Sequence, residues 1–373
     1  MPPVNILIKP ASSACNMACT YCFYRDVSQN RAEEFQGMLS QKLIEDLLRE
    51  ALSYADIYCS FTFQGGEPTL AGIDFYKKFI ELVKVYNHKK LKIYFSLQTN
   101  GYLINESWAE FFSEHRFLIG LSLDGPAKLH NPNRIDHQGK GTWSKVLHAS
   151  KLFDQYEVSY NILSVLTGEN SRYIEQIYGF YKKNNFKWLQ FIPCIDPFDC
   201  PDKSSAYSLS DKRYGEFLVR IFDLWFEDLK KGHYTSIRHI DNLIYMLSGR
   251  EPEACNMRGV CGIQFVIEGD GGIYPCDFFV LDQWRLGTLG QSGFSEIMQS
   301  QKARDFIEES MHYPQECKNC PHFYLCRNGC KRERKSLAEG GKNIYCNAYK
   351  HFFSEREAHL RQALEICRRY RAF

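Results

Sequence analysis

The 373-residue sequence predicts an α/β protein. Six β–α units form a parallel sheet, curled into a partial barrel or left open, and a cysteine-rich segment ordered around metal follows. Three observations predict this. Apolar stretches of strand length alternate with helical stretches from residue 4 to about 194. The strands carry one apolar face and one small, polar face. Eight of the 15 cysteines fall within residues 255–346, where glycines are many and periodicity is weak. Repeated β–α units build parallel sheets because each helical crossover returns the chain to the same end. A segment poor in core residues is typically ordered by a bound metal.

The first strand is predicted at Val4–Lys9, and the others at Ile57–Gln64, Leu91–Gln98, Phe117–Leu123, Val158–Leu166 and Trp188–Cys194. Helical periodicity between them marks Gln41–Tyr54, Asp74–Asn87 and Ser171–Asn184. In the second strand one face reads Tyr58, Ser60, Thr62, Gln64 and the other Ile57, Cys59, Phe61, Phe63. The third splits into Tyr94, Ser96, Gln98, Asn100 against Leu91, Ile93, Phe95, Leu97, and the fourth into Leu118, Gly120, Ser122, Asp124 against Phe117, Ile119, Leu121, Leu123. A fully buried parallel strand is apolar on both faces, and a closed barrel fills its interior with branched side chains. The apolar face therefore packs on helices. The polar face lines a roomy interior able to admit a ligand or, on the alternative reading, faces solvent. After a Pro- and Asp-rich loop, Ile195–Ser210, two helices are expected near Asp211–Lys231 and Ile237–Ser248. Asn347–Tyr370 reads as a closing amphipathic helix.

Hydrophobic residues make up 44% and aromatics 15% of the chain, enough for a sizeable core. A formal charge of +2 leaves no net field to draw nucleic acid or an anionic membrane. Met1-Pro2-Pro3-Val4-Asn5 lacks the features of a signal peptide, and apolar runs such as Phe117–Leu123 are too short to span a bilayer. A cytoplasmic protein is expected, with thiols kept reduced and open to metal rather than paired in disulfides.

Cys15-x3-Cys19-x2-Cys22 lies in the loop after the first strand. A cubane 4Fe–4S cluster ordinarily takes four cysteines, so three leave one iron open to another ligand. A structural zinc site needs a fourth ligand, and no further cysteine precedes Cys59. With Tyr21 and Phe23 flanking Cys22, the motif resembles the signature of the radical S-adenosylmethionine superfamily. The resemblance implies a partial (β/α)6 barrel. It also implies that S-adenosylmethionine binds the open iron and is cleaved by one electron to a 5′-deoxyadenosyl radical, which abstracts a substrate hydrogen. Gln64-Gly65-Gly66-Glu67-Pro68, at the end of the second strand, resembles the segment whose backbone meets the methionyl amine. Its glycines permit close backbone approach, though on its own the segment reads equally as an ordinary turn. By the same resemblance Ser122 and Arg134 hold the methionyl carboxylate, Tyr21 lies near the cofactor, and Ile195 meets adenine through its backbone. Without the resemblance Arg134 reads as a surface residue.

Downstream the spacing is Cys255-x5-Cys261, Gly271-x4-Cys276, and Cys317-x2-Cys320-x5-Cys326-x3-Cys330-x15-Cys346. Eight cysteines suffice for two fully ligated cubanes or for two zinc sites. The array resembles the SPASM domain, an iron–sulfur extension of peptide-modifying radical enzymes. The resemblance assigns Cys255, Cys261, Cys276 and Cys330 to a first auxiliary cluster, and Cys317, Cys320, Cys326 and Cys346 to a second. Three 4Fe–4S clusters then use eleven cysteines and leave Cys59, Cys194, Cys200 and Cys367 as packing or surface residues. The chain divides into a barrel with its linking helix (1–235), the SPASM domain (236–346) and a C-terminal helix (347–373).

From Ile8-Lys9-Pro10-Ala11-Ser12-Ser13 through Ser96-Leu97-Gln98-Thr99-Asn100-Gly101 to Tyr274-Pro275-Cys276-Asp277-Phe278, the chain resembles the anaerobic sulfatase-maturating enzymes. That family oxidises a cysteine or serine of a sulfatase to Cα-formylglycine. The resemblance implies as partners an unfolded or nascent sulfatase polypeptide bearing Cys/Ser-x-Pro/Ala-x-Arg, and a one-electron reductant of the flavodoxin or ferredoxin type. Asp277 matches the family's proton acceptor, while by itself it reads as a loop carboxylate or a partner to the cluster. Tyr24 and Gln98 are candidate neighbours of the radical. The rival reading is a SPASM enzyme that crosslinks or epimerises a ribosomal peptide, and a rival of another class is a zinc-binding scaffold.

Overall fold

The computed structural model describes residues 3–198, 205–335 and 341–370, so Cys200 lies outside the described residues. The strands are β1 (Val4–Ile8), β2 (Tyr58–Phe63), β3 (Lys92–Thr99), β4 (Leu118–Ser122), β5 (Ser159–Leu166), β6 (Trp188–Pro193), β7 (Ser236–Ile237), β8 (Val266–Ile267), β9 (Gly272–Tyr274) and β10 (Gly287–Thr288). The first six match the predicted strands to within two residues at either end. The chain forms two compact units that interleave in sequence. One comprises Met1–Ser122, Asn131–Tyr160 and Gly262–Ile307, and the other Leu123–His130, Asn161–Cys261 and Glu308–Phe373.

In the first unit the strands run in the order β10-β9-β8-β1-β2-β3-β4. β1 to β4 are parallel, with Ile8 opposite Phe63 and Phe63 opposite Leu97. The alternation of β2 sorts its faces as the sequence predicts: Cys59, Phe61 and Phe63 are fully buried, while Tyr58, Ser60 and Thr62 are only partly so. Phe63 meets Tyr76 and Phe79 of the helix Ile73–Tyr86 at ring-centroid distances of 4.9 and 5.1 Å. Burying each such ring stabilises by roughly 1.5–3 kcal/mol. On the other face, Thr62 and Ser96 hydrogen-bond across the strands at 2.8 Å. Toward the amino ends of the strands that face opens to solvent, with Tyr94 53% and Leu118 51% exposed. The helix Gln41–Tyr54 starts where Ser40 accepts from the amide of Leu43, and it buries Ile44, Leu47, Leu48, Ala51 and Leu52 at three- and four-residue spacing.

Residues 262–307 depart from expectation. They were read as part of a metal-ordered segment, yet they hold three short strands and an apolar cluster of their own. β8 adds to β1 in parallel, and β9 and β10 follow antiparallel. Phe265 stacks on Phe294 at 4.0 Å, and Val266, Ile267, Ile273 and Phe306 are fully buried. Two helices, Phe294–Gln299 and Gln301–Met311, also escaped the periodicity reading. Two- and three-residue strands and a six-residue helix are too short to show a period in sequence, and the 11-residue helix Gln301–Met311 buries only Ala303, Phe306 and Ser310, too little apolar surface to mark a face.

In the second unit β5, β6 and β7 pair in parallel. The helices Asp211–Lys230 and Cys346–Tyr370 pack together. Phe222 lies edge-on to Phe352, Arg356 grips Asp223 with two bonds of 2.7 and 2.9 Å, and a Cβ on Gly215 would sit 3.1 Å from the Cα of Ala348. Among the described residues no helix is long and apolar enough to cross a membrane.

Candidate active site

The first unit gathers the motifs that follow β1, β2 and β4. Cys15, Cys19 and Cys22 occupy the loop after β1, and the segment around Arg134 pairs with it: the amide of Ala18 donates to Ile135 O at 2.8 Å and that of Thr20 to Asn133 O at 3.0 Å. Arg134 is 6% exposed, which corrects the surface reading, and its guanidinium lies 5.5 Å from the ring centroid of the buried Tyr21. Burial pushes the Cys15 thiol up to about 12, opposed by the amide of Met17 and reinforced by Glu67, Cys19 and Cys22. Cys19 and Cys22 lie close enough to disfavour ionisation of Cys15, a crowding of donors that a bound cation relieves, so the loop fits an iron–sulfur cluster.

Gly65 and Gly66 have φ of +90° and +46°. Their closest neighbours belong to the chain itself. A Cβ on Gly65 would fall 2.3 Å from Cε of Lys9, and one on Gly66 would fall 2.2 Å from the carbonyl oxygen of Ala14. Glycine is required here to let the β2 end press against the cysteine loop. Glu67, 1% exposed, is also turned inward. Its carboxylate accepts from the Thr69 amide and hydroxyl at 3.1 and 2.7 Å, from the Thr99 hydroxyl at 2.8 Å and from the Asn100 amide at 2.8 Å. The Glu67 side chain thus ties the carboxyl ends of β2 and β3 together, while its backbone amide donates to Ala14 O at 2.8 Å and its carbonyl accepts from the Leu70 amide at 3.1 Å. Burial raises its pKa, and those hydrogen bonds oppose the rise.

Asp277 stands one residue past Cys276 and is 6% exposed. Its Oδ2 accepts from the hydroxyl of Tyr24 at 2.6 Å and from the side-chain amide of Gln64 at 3.0 Å, and the same amide meets the Tyr24 oxygen. Among the described residues Oδ1 has no hydrogen-bond partner, and the Lys9 ammonium lies 3.8 Å away. Lys9, 2% exposed, also lies 4.7 Å from the Tyr24 ring centroid and 3.8 Å from Glu268, which Arg31 holds at 2.7 Å. Two buried cations thus alternate with two buried carboxylates. Burial raises the pKa of Asp277, while Lys9 and the Tyr24 hydroxyl pull it back and Glu268 adds to the rise. The sequence reading had Asp277 and Tyr24 but missed Lys9, Gln64, Arg31 and Glu268 as their partners. The available signal was positional: Lys9 and Gln64 are polar residues ending two apolar strands, where barrel enzymes place their sites.

Of the other sequence-derived candidates, Ser122 ends β4 in this unit. Ile195 follows β6 in the second unit, where the amide of Cys194 donates to Leu166 O at 2.9 Å. Cys255, Cys261 and Cys330 also lie in the second unit, and Cys276 in the first. Cys317, Cys320, Cys326 and Cys346, all in the second unit, line one pocket in thiol form. There burial pushes Cys326 up to about 12, with Cys346, Cys317 and Cys320 adding to the rise. Among the described residues no three His, Cys, Asp or Glu side chains close onto a single ion. A cubane spreads its thiolates over four irons, and this wider gathering of four cysteines fits it.

Comparison with known proteins agrees with this geometry. Residues 10–181 match the radical SAM superfamily, and residues 255–321 match the SPASM iron–sulfur cluster-binding domain. The chain is 46% identical to a cysteine-type anaerobic sulfatase-maturating enzyme of Clostridium novyi over 95% of its own length and 96% of the relative's. It belongs to the anaerobic sulfatase-maturating enzymes. A serine-type member from Bacteroides thetaiotaomicron is 31% identical over 94% of this chain and 89% of that one. The solved structure of native anSMEcpe with bound AdoMet and Cp18Cys peptide superposes with a TM-score of 0.93 at 45% identity, covering 98% of this chain and 99% of that one. As a radical SAM sulfatase-maturating enzyme, the protein requires S-adenosylmethionine and iron–sulfur clusters.

Proposed function

We propose that this sulfatase-maturating enzyme oxidises a cysteine, or a serine, in the Cys/Ser-x-Pro/Ala-x-Arg motif of an unfolded or nascent sulfatase to Cα-formylglycine. The observation that carries the reading is the buried Asp277 carboxylate, with Oδ2 held by Tyr24 and Gln64 and Oδ1, among the described residues, left without a hydrogen-bond partner. The higher identity to the cysteine-type relative, 46% against 31%, favours cysteine.

In this reading Cys15, Cys19 and Cys22 hold the radical-generating cluster. Tyr21, Gly65, Gly66, Glu67, Ser122, Arg134 and Ile195 surround S-adenosylmethionine. Cys255, Cys261, Cys276 and Cys330 hold a first auxiliary 4Fe–4S cluster, and Cys317, Cys320, Cys326 and Cys346 a second. The working divisions are residues 1–235, 236–346 and 347–373. When bound, these groups supply hydrogen-atom abstraction from Cβ and a sink for one electron. The protein's own residues handle the proton. Asp277 takes it from the target sulfur or oxygen through Oδ1, while Tyr24 and Gln64 fix the carboxylate and Lys9 balances its charge. For cysteine, loss of one hydrogen atom, one proton and one electron leaves a thioaldehyde, which water converts to the aldehyde and hydrogen sulfide. The reductant is a one-electron donor of the flavodoxin or ferredoxin type, and the site of action is the cytoplasm.

The test is an anaerobic assay with S-adenosylmethionine, a reductant and cysteine and serine versions of a motif peptide. An aldehyde trapped by a hydrazine is expected from the cysteine peptide. Deoxyadenosine formed while neither peptide changes contradicts the reading and points to another peptide modification.

A further inference from the structure

Arg334 lies in the second unit, four residues after Cys330, and is partly buried. Its guanidinium donates five hydrogen bonds, all to backbone carbonyls. Nε reaches Asn328 O at 3.0 Å, one terminal nitrogen reaches Ser310 O and His312 O, and the other reaches Gly259 O and Gly329 O at 2.7 and 2.9 Å. Those carbonyls come from three stretches of chain, and each leads to a cysteine. Gly259 precedes Cys261, residues 310 and 312 lead to Cys317, and residues 328 and 329 join Cys326 to Cys330.

Among the described residues Arg334 forms no ion pair with a carboxylate. Burial lowers the pKa of Arg334, and the nearby sulfurs of Cys261 and Cys330 from the proposed first auxiliary set and of Cys317 and Cys326 from the second oppose that fall. A cation drawn from water costs free energy unless an anion or dipoles compensate it. Five carbonyl dipoles do part of this, and a thiolate-ligated iron–sulfur cluster, itself anionic, supplies the missing counter-charge. A guanidinium suits the place because its planar fork reaches several acceptors at once and stays charged at any working pH.

We propose that Arg334 is a positioning residue shared by the two auxiliary clusters, binding their ligand segments together and, through its charge, raising both reduction potentials. Net charge near a cluster is one of the settings of its potential, and a nearby cation stabilises the more negative, reduced state. The proposal rests on the assignment of eight cysteines to two auxiliary clusters. Iron content of the unmutated protein tests that assignment separately.

The experiment is a potentiometric titration of the anaerobically reconstituted full chain, followed by electron paramagnetic resonance, for the unmutated protein, Arg334→Gln and Arg334→Lys. Fewer than three clusters in the unmutated protein removes the cluster assignment itself. With three present, Arg334→Gln should shift the auxiliary potentials to more negative values and leave the radical-generating cluster unmoved, while Arg334→Lys should stay near the unmutated values. Unchanged auxiliary potentials in Arg334→Gln, or an equal shift in both variants, overturns the proposal. If Arg334→Gln fails to hold auxiliary iron, Arg334→Lys decides: retained iron at near-native potentials supports a role for the charge, and equal loss of iron overturns it.

Discussion

The hydroxyl of Tyr24, at the start of the short helix after the cysteine loop, donates to Oδ2 of Asp277 at 2.6 Å across 253 residues of sequence. With Gln64 on the same oxygen, this leaves Oδ1 buried and, among the described residues, without a hydrogen-bond partner. The contact joins the loop that carries the radical motif to the residue proposed as base.

Tyr24→Phe removes that donor and the oxygen met by the Gln64 amide, and keeps the ring. A hydrogen bond to a charged group contributes about 1.5–3 kcal/mol, so formylglycine production should fall roughly 10- to 100-fold. Iron content and S-adenosylmethionine cleavage should persist. Parallel chromatography of deoxyadenosine and hydrazine-trapped aldehyde measures both. Equal loss of the two products would instead assign Tyr24 to cofactor binding or folding.

Gly66→Ala places a methyl where the Ala14 carbonyl stands, 2.2 Å from its oxygen, and disrupts the bond from the Glu67 amide to that carbonyl. Because Ala14 precedes Cys15, the cysteine loop must move. The variant should lose about four irons per chain, one cubane's worth, and with them S-adenosylmethionine cleavage, while the auxiliary iron remains. Iron analysis with full cluster content would contradict the close packing described here.

His239 is predicted to make the protein acid-sensitive. Among the described residues its buried Nε2 has no hydrogen-bond partner, it borders a pocket lined by Phe191, Tyr214, Phe217, Ile221 and Phe352, and burial lowers its pKa from 6.5 to about 4. The unfolded chain therefore binds more protons between those values. The stability present above pH 6.5 drains away as pH falls through about 4, by on the order of 3 kcal/mol. His239→Leu should flatten this acid limb in a series of thermal midpoints taken from pH 7 to pH 4. An unchanged slope would show that His239 is not its source.

The strands were legible because β2 and β3 alternate Phe and Leu with Ser, Thr and Gln, a period that survives any tertiary context. The cluster cysteines were legible because thiolates that share a cluster can lie close in sequence. The charge chain was not, since Lys9 meets Glu268 and Arg31 meets Glu268 over separations with no local signature. The close contact of Gly66 with the Ala14 carbonyl was not legible either, since it joins segments 52 residues apart in sequence. β8 to β10 stayed hidden because two- and three-residue strands have no period, and their place in the sheet comes from pairing with β1.

The central claim is that Asp277 accepts the substrate proton after hydrogen abstraction. Asp277→Asn keeps the size and the Tyr24 contact but removes the basicity. The deciding measurement is the ratio of aldehyde to deoxyadenosine formed by this variant with the cysteine motif peptide. Clusters should assemble and deoxyadenosine should accumulate, with formylglycine reduced about 10²–10⁴-fold, the usual cost of losing a general base. An aldehyde yield per deoxyadenosine equal to that of the unmutated enzyme would contradict the account.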